Sequence, residues 1–207
     1  PVKLDELGWN PYFQGKYESF HAENLFPLRI IRENREHYRA LGEGGEYGCE
    51  VSGKFRHETV GKGGFPTVGD WVVAAWCAGE TKATIAGLLP RKSAFRRKVA
   101  GEITDEQIVA ANIDIVFIVT GLDLNFNLRR VERFLALASA SGATPVLILN
   151  KADLCDDPGS MKSAAESVAG GVEVLALSAS NSVGMEQLNG YFGVGIYAPK
   201  HEENIGT

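Results

Sequence analysis

Cysteine is scarce in this chain: Cys49, Cys77 and Cys155 are odd in number, far apart and in no Cys-x-x-Cys pair. That spacing excludes a readable disulfide framework or zinc cluster. The histidines His21, His37, His57 and His201 are equally scattered, and surface or core roles suit them better than ligation. No apolar run approaches the ~20 residues that a membrane helix needs. The opening Pro1-Val2-Lys3-Leu4 has no signal-peptide pattern. The cytosol is therefore the expected compartment, and a monomer the expected state. Excess basic charge is missing too, since the 207 residues carry a formal net charge of −5. A globally basic nucleic-acid binder is excluded, although a local basic patch is not.

The remaining composition, 44% hydrophobic and 23% charged, suits one large or two small globular domains. Residues 1–26 mix aromatics (Trp9, Tyr12, Phe13, Tyr17, Phe20) with charges and read as an arm, with some helix around Leu4 to Leu7. Residues 27–90 read as all-β. Candidate strands are Leu28–Ile31, His37–Leu41, Glu46–Val51, Trp71–Trp76 and Thr81–Leu89, separated by glycine-rich turns. Five short strands suit a small OB-fold barrel, an architecture that binds oligonucleotides. A purely structural barrel fits the pattern equally well.

Arg91, Lys92, Arg96, Arg97 and Lys98 surround Phe95, and Lys54, Arg56 and His57 repeat the theme within the barrel. Phosphates call for such charge, and Phe95 could stack on a base. The bland alternative is a solvated interdomain linker over 91–98. Residues 99–112 are polar and end in Ala110-Ala111-Asn112.

From Ile113 the periodicity changes. Ile113–Thr120 reads as a buried strand, and Asn127 as the N-cap of a helix in which Val131, Phe134, Leu135 and Ala138 recur at helical spacing. Gly142 stops that helix. Val146–Leu149 is a second buried strand, Met161–Val168 a second helix, and Val172–Leu177 a third strand. A β-α-β sequence of this kind makes a parallel sheet, and ligands bind at the carboxyl ends of such strands.

The second of these strands delivers Asn150, Lys151 and Asp153 at its carboxyl end. A carboxylate there can accept two parallel hydrogen bonds, from N1–H and the exocyclic amine of guanine; adenine lacks that edge. The Lys151 stem can lie along base or ribose with its ammonium in water, and the Asn150 amide can tie neighbouring loops. An ordinary strand-end turn is the alternative, because Asn and Asp favour turns. The third strand delivers Ser178-Ala179-Ser180, where a backbone N–H could meet the base O6. A plain turn with Ser180 or Asn181 as helix cap remains open there.

The Asn-Lys-x-Asp stretch resembles the guanine-specificity motif of GTPases, and Ser178–Ser180 the second guanine-contact loop. The ordered set Val51–Arg56, Val68–Val72, Leu89–Ser93, Ala110–Asp114, Asn150–Asp153 and Leu177–Ser180 resembles the RsgA/YjeQ family over about residues 25–195. The resemblance implies a five-stranded OB-fold barrel that touches ribosomal RNA, followed by a circularly permuted P-loop GTPase α/β domain. The implied division is an arm at 1–26, barrel and basic stretch at 27–98, and a partial GTPase domain at 99–207. It implies GTP or GDP with Mg²⁺, hydrolysis of GTP on the small ribosomal subunit, and a carboxyl-terminal Zn²⁺ domain whose ligands are not readable here. The implied RNA-facing residues are Lys54, Arg56, Arg91, Lys92, Arg96, Arg97 and Lys98.

The family's phosphate loop, Gly-x-x-x-x-Gly-Lys-Ser/Thr, is met only in part. Gly190 to Gly195 keeps the glycine spacing, and Gly193-Val194-Gly195 looks like the family's Gly-Val-Gly. Ile196 and Tyr197 stand where Lys and Ser belong. A fragment, or a chain with segments removed after Gly195, is the expected explanation. A degenerate, non-catalytic RNA-binding adaptor is the alternative.

Overall fold

The computed structural model describes residues 2–20, 24–34, 37–76, 82–98, 106–123, 126–192 and 197–200. Two compact units meet in sequence between Asn112 and Ile113. In the first, β1 (Leu25–Asn34), β2 (His37–Gly42), β3 (Gly45–Val51), β4 (Trp71–Trp76) and β5 (Ala83–Leu88) close a barrel in the order β1-β2-β3-β5-β4. Every neighbouring pair is antiparallel except β3 with β5. Closure leaves no edge strand, which an isolated sheet of this size would expose. Alternation places Tyr38, Ala40, Cys49, Val51, Val72, Ala74 and Ile85 in the interior. The short helix α2 (Gly53–Glu58), capped by the Ser52 hydroxyl on the Phe55 N–H, adds Phe55 to that core.

β4 is buried on both faces because residues before β1 cover its outside. Asn10 accepts from the Tyr12 N–H, Pro11 starts α1 (Pro11–Glu18), and Phe13 packs with Trp71, Val73 and Leu89. Leu4, Leu7, Trp9, Tyr17 and Phe20 complete the cluster. The sequence reading passed over this start signal, in which Asn caps and Pro at the first helical position needs no N–H partner. Arg29 lies beneath this cover, only 1% exposed. It donates to Leu7 O at 2.6 Å and Asn112 O at 2.7 Å and sits 5.3 Å over the Trp71 ring.

The stretch weighed as a linker forms a hairpin instead. β6 (Ala94–Lys98) pairs antiparallel with β7 (Glu106–Ala111), a strand that the reading of 99–112 as polar passed over. Gly69 makes the attachment possible: at φ +89° it passes so close that an added Cβ would lie 1.9 Å from Ala111 O. Asn112, itself left-handed at φ +53°, accepts from the Lys92 N–H and donates to Gly69 O.

A buried ion pair braces the same region. Asp70, fully buried, accepts from Arg91 Nε at 2.8 Å and Nη2 at 2.7 Å, and from the Thr67 N–H at 2.8 Å. Arg91 also donates to Gly63 O and Phe65 O. Burial pushes the Asp70 carboxyl above its ordinary range, against the pull of Arg91 and the Thr67 N–H.

In the second unit, β8 (Ile115–Gly121), β9 (Thr144–Asn150), β10 (Glu173–Ala176) and β11 (Tyr197–Lys200) form a parallel sheet in the order β10-β9-β8-β11. α3 (Leu128–Ser141) joins β8 to β9 and α4 (Pro158–Ala169) joins β9 to β10. Asn127 caps α3 by accepting from the Arg130 N–H, and left-handed Gly142 ends it. Val131, Leu135 and Ala138 are buried, while Phe134 is half-buried. The parallel order gathers the carboxyl ends of β8, β9 and β10 on one rim.

Asp70→Ala would strand a cation that is 14% exposed. Breaking such a pair costs about 3–5 kcal/mol. The expected outcome is a lowered denaturant midpoint for the barrel, whereas exposed Lys54→Ala should stay within about 0.5 kcal/mol.

Candidate functional site

The rim of the second unit is built by hydrogen bonds between the three strand ends. β8 runs into Gly121-Leu122-Asp123, and the Leu122 N–H donates to Asn150 O at 2.7 Å. β9 ends at Asn150, whose Oδ1 accepts from the Ala179 N–H at 3.0 Å. The Ala152 N–H donates to Leu177 O at 3.1 Å. Asn150 thus ties the loops after β9 and β10, as its position in the sequence implied.

Lys151 follows in the left-handed region, at φ +62° and ψ +34°. Residues with a Cβ visit that region at a cost, and functional loops are where such turns concentrate. Directly after it, Ala152–Leu154 form a single 3-10 turn, and Asp153 is exposed there. Its carboxylate is not packed into the core, which a base-reading group requires.

The Lys151 ammonium meets Asp123 Oδ2 at 2.7 Å. Its stem crosses Gly121, where an added Cβ would stand 3.3 Å from Lys151 Cδ and 3.0 Å from Asp123 Oδ2. Gly121 and Asp123 escaped the sequence reading. The strand-end rule applied to β9 would have flagged them at the end of β8 as well.

The loop after β10 divides its residues. Ser178 is 1% exposed, its N–H donates to Val183 O at 2.9 Å, and its hydroxyl lies 3.1 Å from that of Ser180. Ser178 therefore frames the loop rather than facing out of it. Ala179 and Ser180 are exposed, with the Ala179 N–H engaged by Asn150. The phosphate-loop candidates Gly193, Val194 and Gly195 lie outside the described residues. Among the described residues no group of three or more His, Cys, Asp or Glu could hold a metal ion.

The basic residues of the first unit fall into two classes. Lys54, Arg56 and His57 project from α2, with Lys62 on the turn that follows, and Lys92 and Arg96 lie exposed around the start of β6. These elements are joined: Phe55 meets Phe65 edge-on at 6.3 Å, and Arg91 holds Gly63 O and Phe65 O. Arg91 itself, expected to meet phosphate, is spent on Asp70 and these carbonyls. Phe95, expected to stack on a base, is 7% exposed and has no ring face to offer. Arg97 and Lys98 belong to β6, but their side chains lie outside the described set.

The outer face of β2 and β3 carries a closely paired set of charges. Glu50 pairs with Lys82 and His37, and Glu46 with Arg39 at 2.7 Å. Lys82 first, then His37, hold the Glu50 carboxyl below its ordinary range. Cations matched in this way leave little field for phosphate.

Comparison with known proteins adds the following. The family model described as RsgA GTPase matches residues 88–197. The small ribosomal subunit biogenesis GTPase RsgA of Opitutus terrae is 39% identical over 196 residues, covering 90% of this chain and 53% of that protein. The protein of the same name from Syntrophotalea carbinolica is 34% identical over 201 residues, covering 94% and 55%. The chain spans about half the length of these curated relatives. The crystal structure of YjeQ from Thermotoga maritima matches with a TM-score of 0.66 at 21% identity, over 88% of this chain and 62% of that one. YloQ, whose structure is titled a circularly permuted GTPase, matches with a TM-score of 0.64 at 20% identity, with the same coverages. At such identities the likeness establishes the fold: an OB barrel and a permuted GTPase sheet.

Asn150→Ala would remove the acceptor of the Ala179 N–H. Hydrogen exchange at Ala179 is expected to speed by about fivefold, for a lost bond near 1 kcal/mol. Exchange within β9 should stay unchanged.

Proposed function

The chain belongs to the RsgA GTPase family, and from that premise we propose that it carries the guanine-reading part of a GTP-binding, GTP-hydrolysing factor for small-subunit assembly. The observation that carries the proposal is the rim of the second unit. An exposed carboxylate, Asp153, stands beside a left-handed lysine and a loop tied down by Asn150. In this reading Asp153 accepts from guanine N1–H and the exocyclic amine. The Lys151 stem walls the base. The exposed Ala179–Ser180 loop supplies a donor for O6, and Ser178 shapes it from behind. A non-catalytic adaptor is the less favoured reading, since it leaves the exposed Asp153 and the strained Lys151 turn without a task.

Hydrolysis in a fold of this kind rests on a phosphate loop and on Mg²⁺, which neutralises charge developing on the transferred phosphoryl group. The described residues offer no acidic cluster for the ion, so only the base end of the nucleotide is assigned to named side chains. Gly193, Val194 and Gly195 remain the proposed start of the phosphate loop.

The barrel supplies the contact with ribosomal RNA through Lys54, Arg56, Lys92, Arg96, Arg97 and Lys98. Support comes from the exposed cations on α2 and at the start of β6, elements connected through Phe55, Phe65 and Arg91. The small ribosomal subunit is the partner, and the working state is a cytoplasmic monomer. No described helix is long and apolar enough to cross a membrane.

Xanthine presents a carbonyl where guanine has its amine, so an amide at position 153 matches it better than a carboxylate does. Asp153→Asn should lose about 100-fold or more in GDP affinity while gaining affinity for XDP, the scale set by unpaired polar groups in a base site. Competition titration with GDP, XDP and ADP checks this; equal affinity for GDP and ADP in the unaltered protein would refute guanine reading. The combined changes Lys54→Ala, Arg56→Ala and Arg96→Ala should lower the slope of log affinity for small-subunit RNA against log salt by about 2–3, roughly one per lost phosphate contact. An unaltered slope would move the RNA surface elsewhere.

A further inference from the structure

We propose that Asp123 is a positioning residue of the guanine site, acting through Lys151; the inference rests on the nucleotide reading given above. Asp123 leaves the carboxyl end of β8 on the short loop Gly121-Leu122-Asp123. That loop is not free to wander, because the Leu122 N–H is bonded to Asn150 O at 2.7 Å and Leu122 is buried. The Asp123 carboxylate is thereby delivered to the neighbouring strand end, where its Oδ2 takes the Lys151 ammonium at 2.7 Å. Asp123 is the more enclosed partner, its side chain 26% exposed against 51% for Lys151.

The consequence concerns the lysine stem. A long cationic side chain in water samples many rotamers, and ordering it opposes ligand binding through lost rotamer freedom. Here both ends are held. The left-handed backbone sets the direction in which the side chain leaves, and Asp123 fixes the ammonium. Between them the methylenes lie over Gly121, where a Cβ would meet Lys151 Cδ at 3.3 Å. The apolar stem becomes a flat strip at the rim before any ligand arrives, two residues from the base-reading carboxylate of Asp153. Asp123 needs no contact with the nucleotide to do this.

The test is a double-mutant cycle on the whole protein, read by calorimetric titration with GDP. Asp123→Asn should weaken GDP binding by about three- to fivefold, the span that a half-exposed ion pair supports. Asp123→Glu should restore most of the loss. Lys151→Met keeps an unbranched stem without the ammonium, and on that background Asp123→Asn should bring no further loss. Thermal melting of each variant accompanies the titrations, and the melting temperature of Asp123→Asn should match that of the unaltered protein within a few degrees. An equal loss on both backgrounds, or no loss on the unaltered background, would overturn the role of Asp123 while leaving guanine binding standing. Absence of any preference for GDP over ADP in the unaltered protein would overturn the site reading and this inference with it.

Discussion

One hydrogen-bonded side chain organises the rim of the parallel sheet. The Asn150 carboxamide accepts the Ala179 N–H, and its own main-chain carbonyl takes the Leu122 N–H. Three loops that follow three different strands are thereby held at one edge. Without that tie each loop would be a separate solvated turn, and the exposed Asp153 would have no fixed surroundings. The left-handed turn at Lys151 and the glycine at position 121 are consequences of the same constraint. Chain reversal must occur within a residue or two, and the lysine must cross the neighbouring loop at van der Waals distance.

The barrel unit is organised by a different economy, the placement of buried cations. Arg29 and Arg91 are both withdrawn from water, and both find their partners in segments distant in sequence. Arg29 uses two main-chain carbonyls and the Trp71 ring, and Arg91 uses Asp70 with two carbonyls. Both arginines span segments that strand pairing does not connect: the amino-terminal cover in one case, the glycine-rich turn in the other. Lys54, Arg56, Lys92 and Arg96, by contrast, stay at the surface. Charge type therefore does not distinguish brace from ligand group; burial does.

Much of this architecture was legible from residue order. The barrel strands follow from period-two alternation bounded by glycine, and β8, β9 and β10 from apolar runs that alternate with capped helices, whereas β11, a four-residue Tyr-Ala-Pro-Lys strand, carries no such run. Asn127, Gly142 and Asn150 each do what their local chemistry implied. β7 was not legible, because its short apolar run Ile108–Ala111 follows a polar stretch and pairs with only one neighbour, β6. The brace at Arg91 was hidden for another reason: its partner Asp70 lies 21 positions away, and a basic run looks the same whether its members face water or carboxylate.

The sequence by itself determined which atoms stand at the ends of β9 and β10, because side-chain identity and strand direction are local properties. It also determined that a carboxylate and a lysine would arrive there together. Only the tertiary structure decided which polar groups are spent within the fold. Ser178, Arg91 and Phe95 turn inward, while Asp153, Lys54 and Arg96 do not. That division is set by contacts between segments distant in the chain, whose energies depend on burial and geometry rather than on residue order.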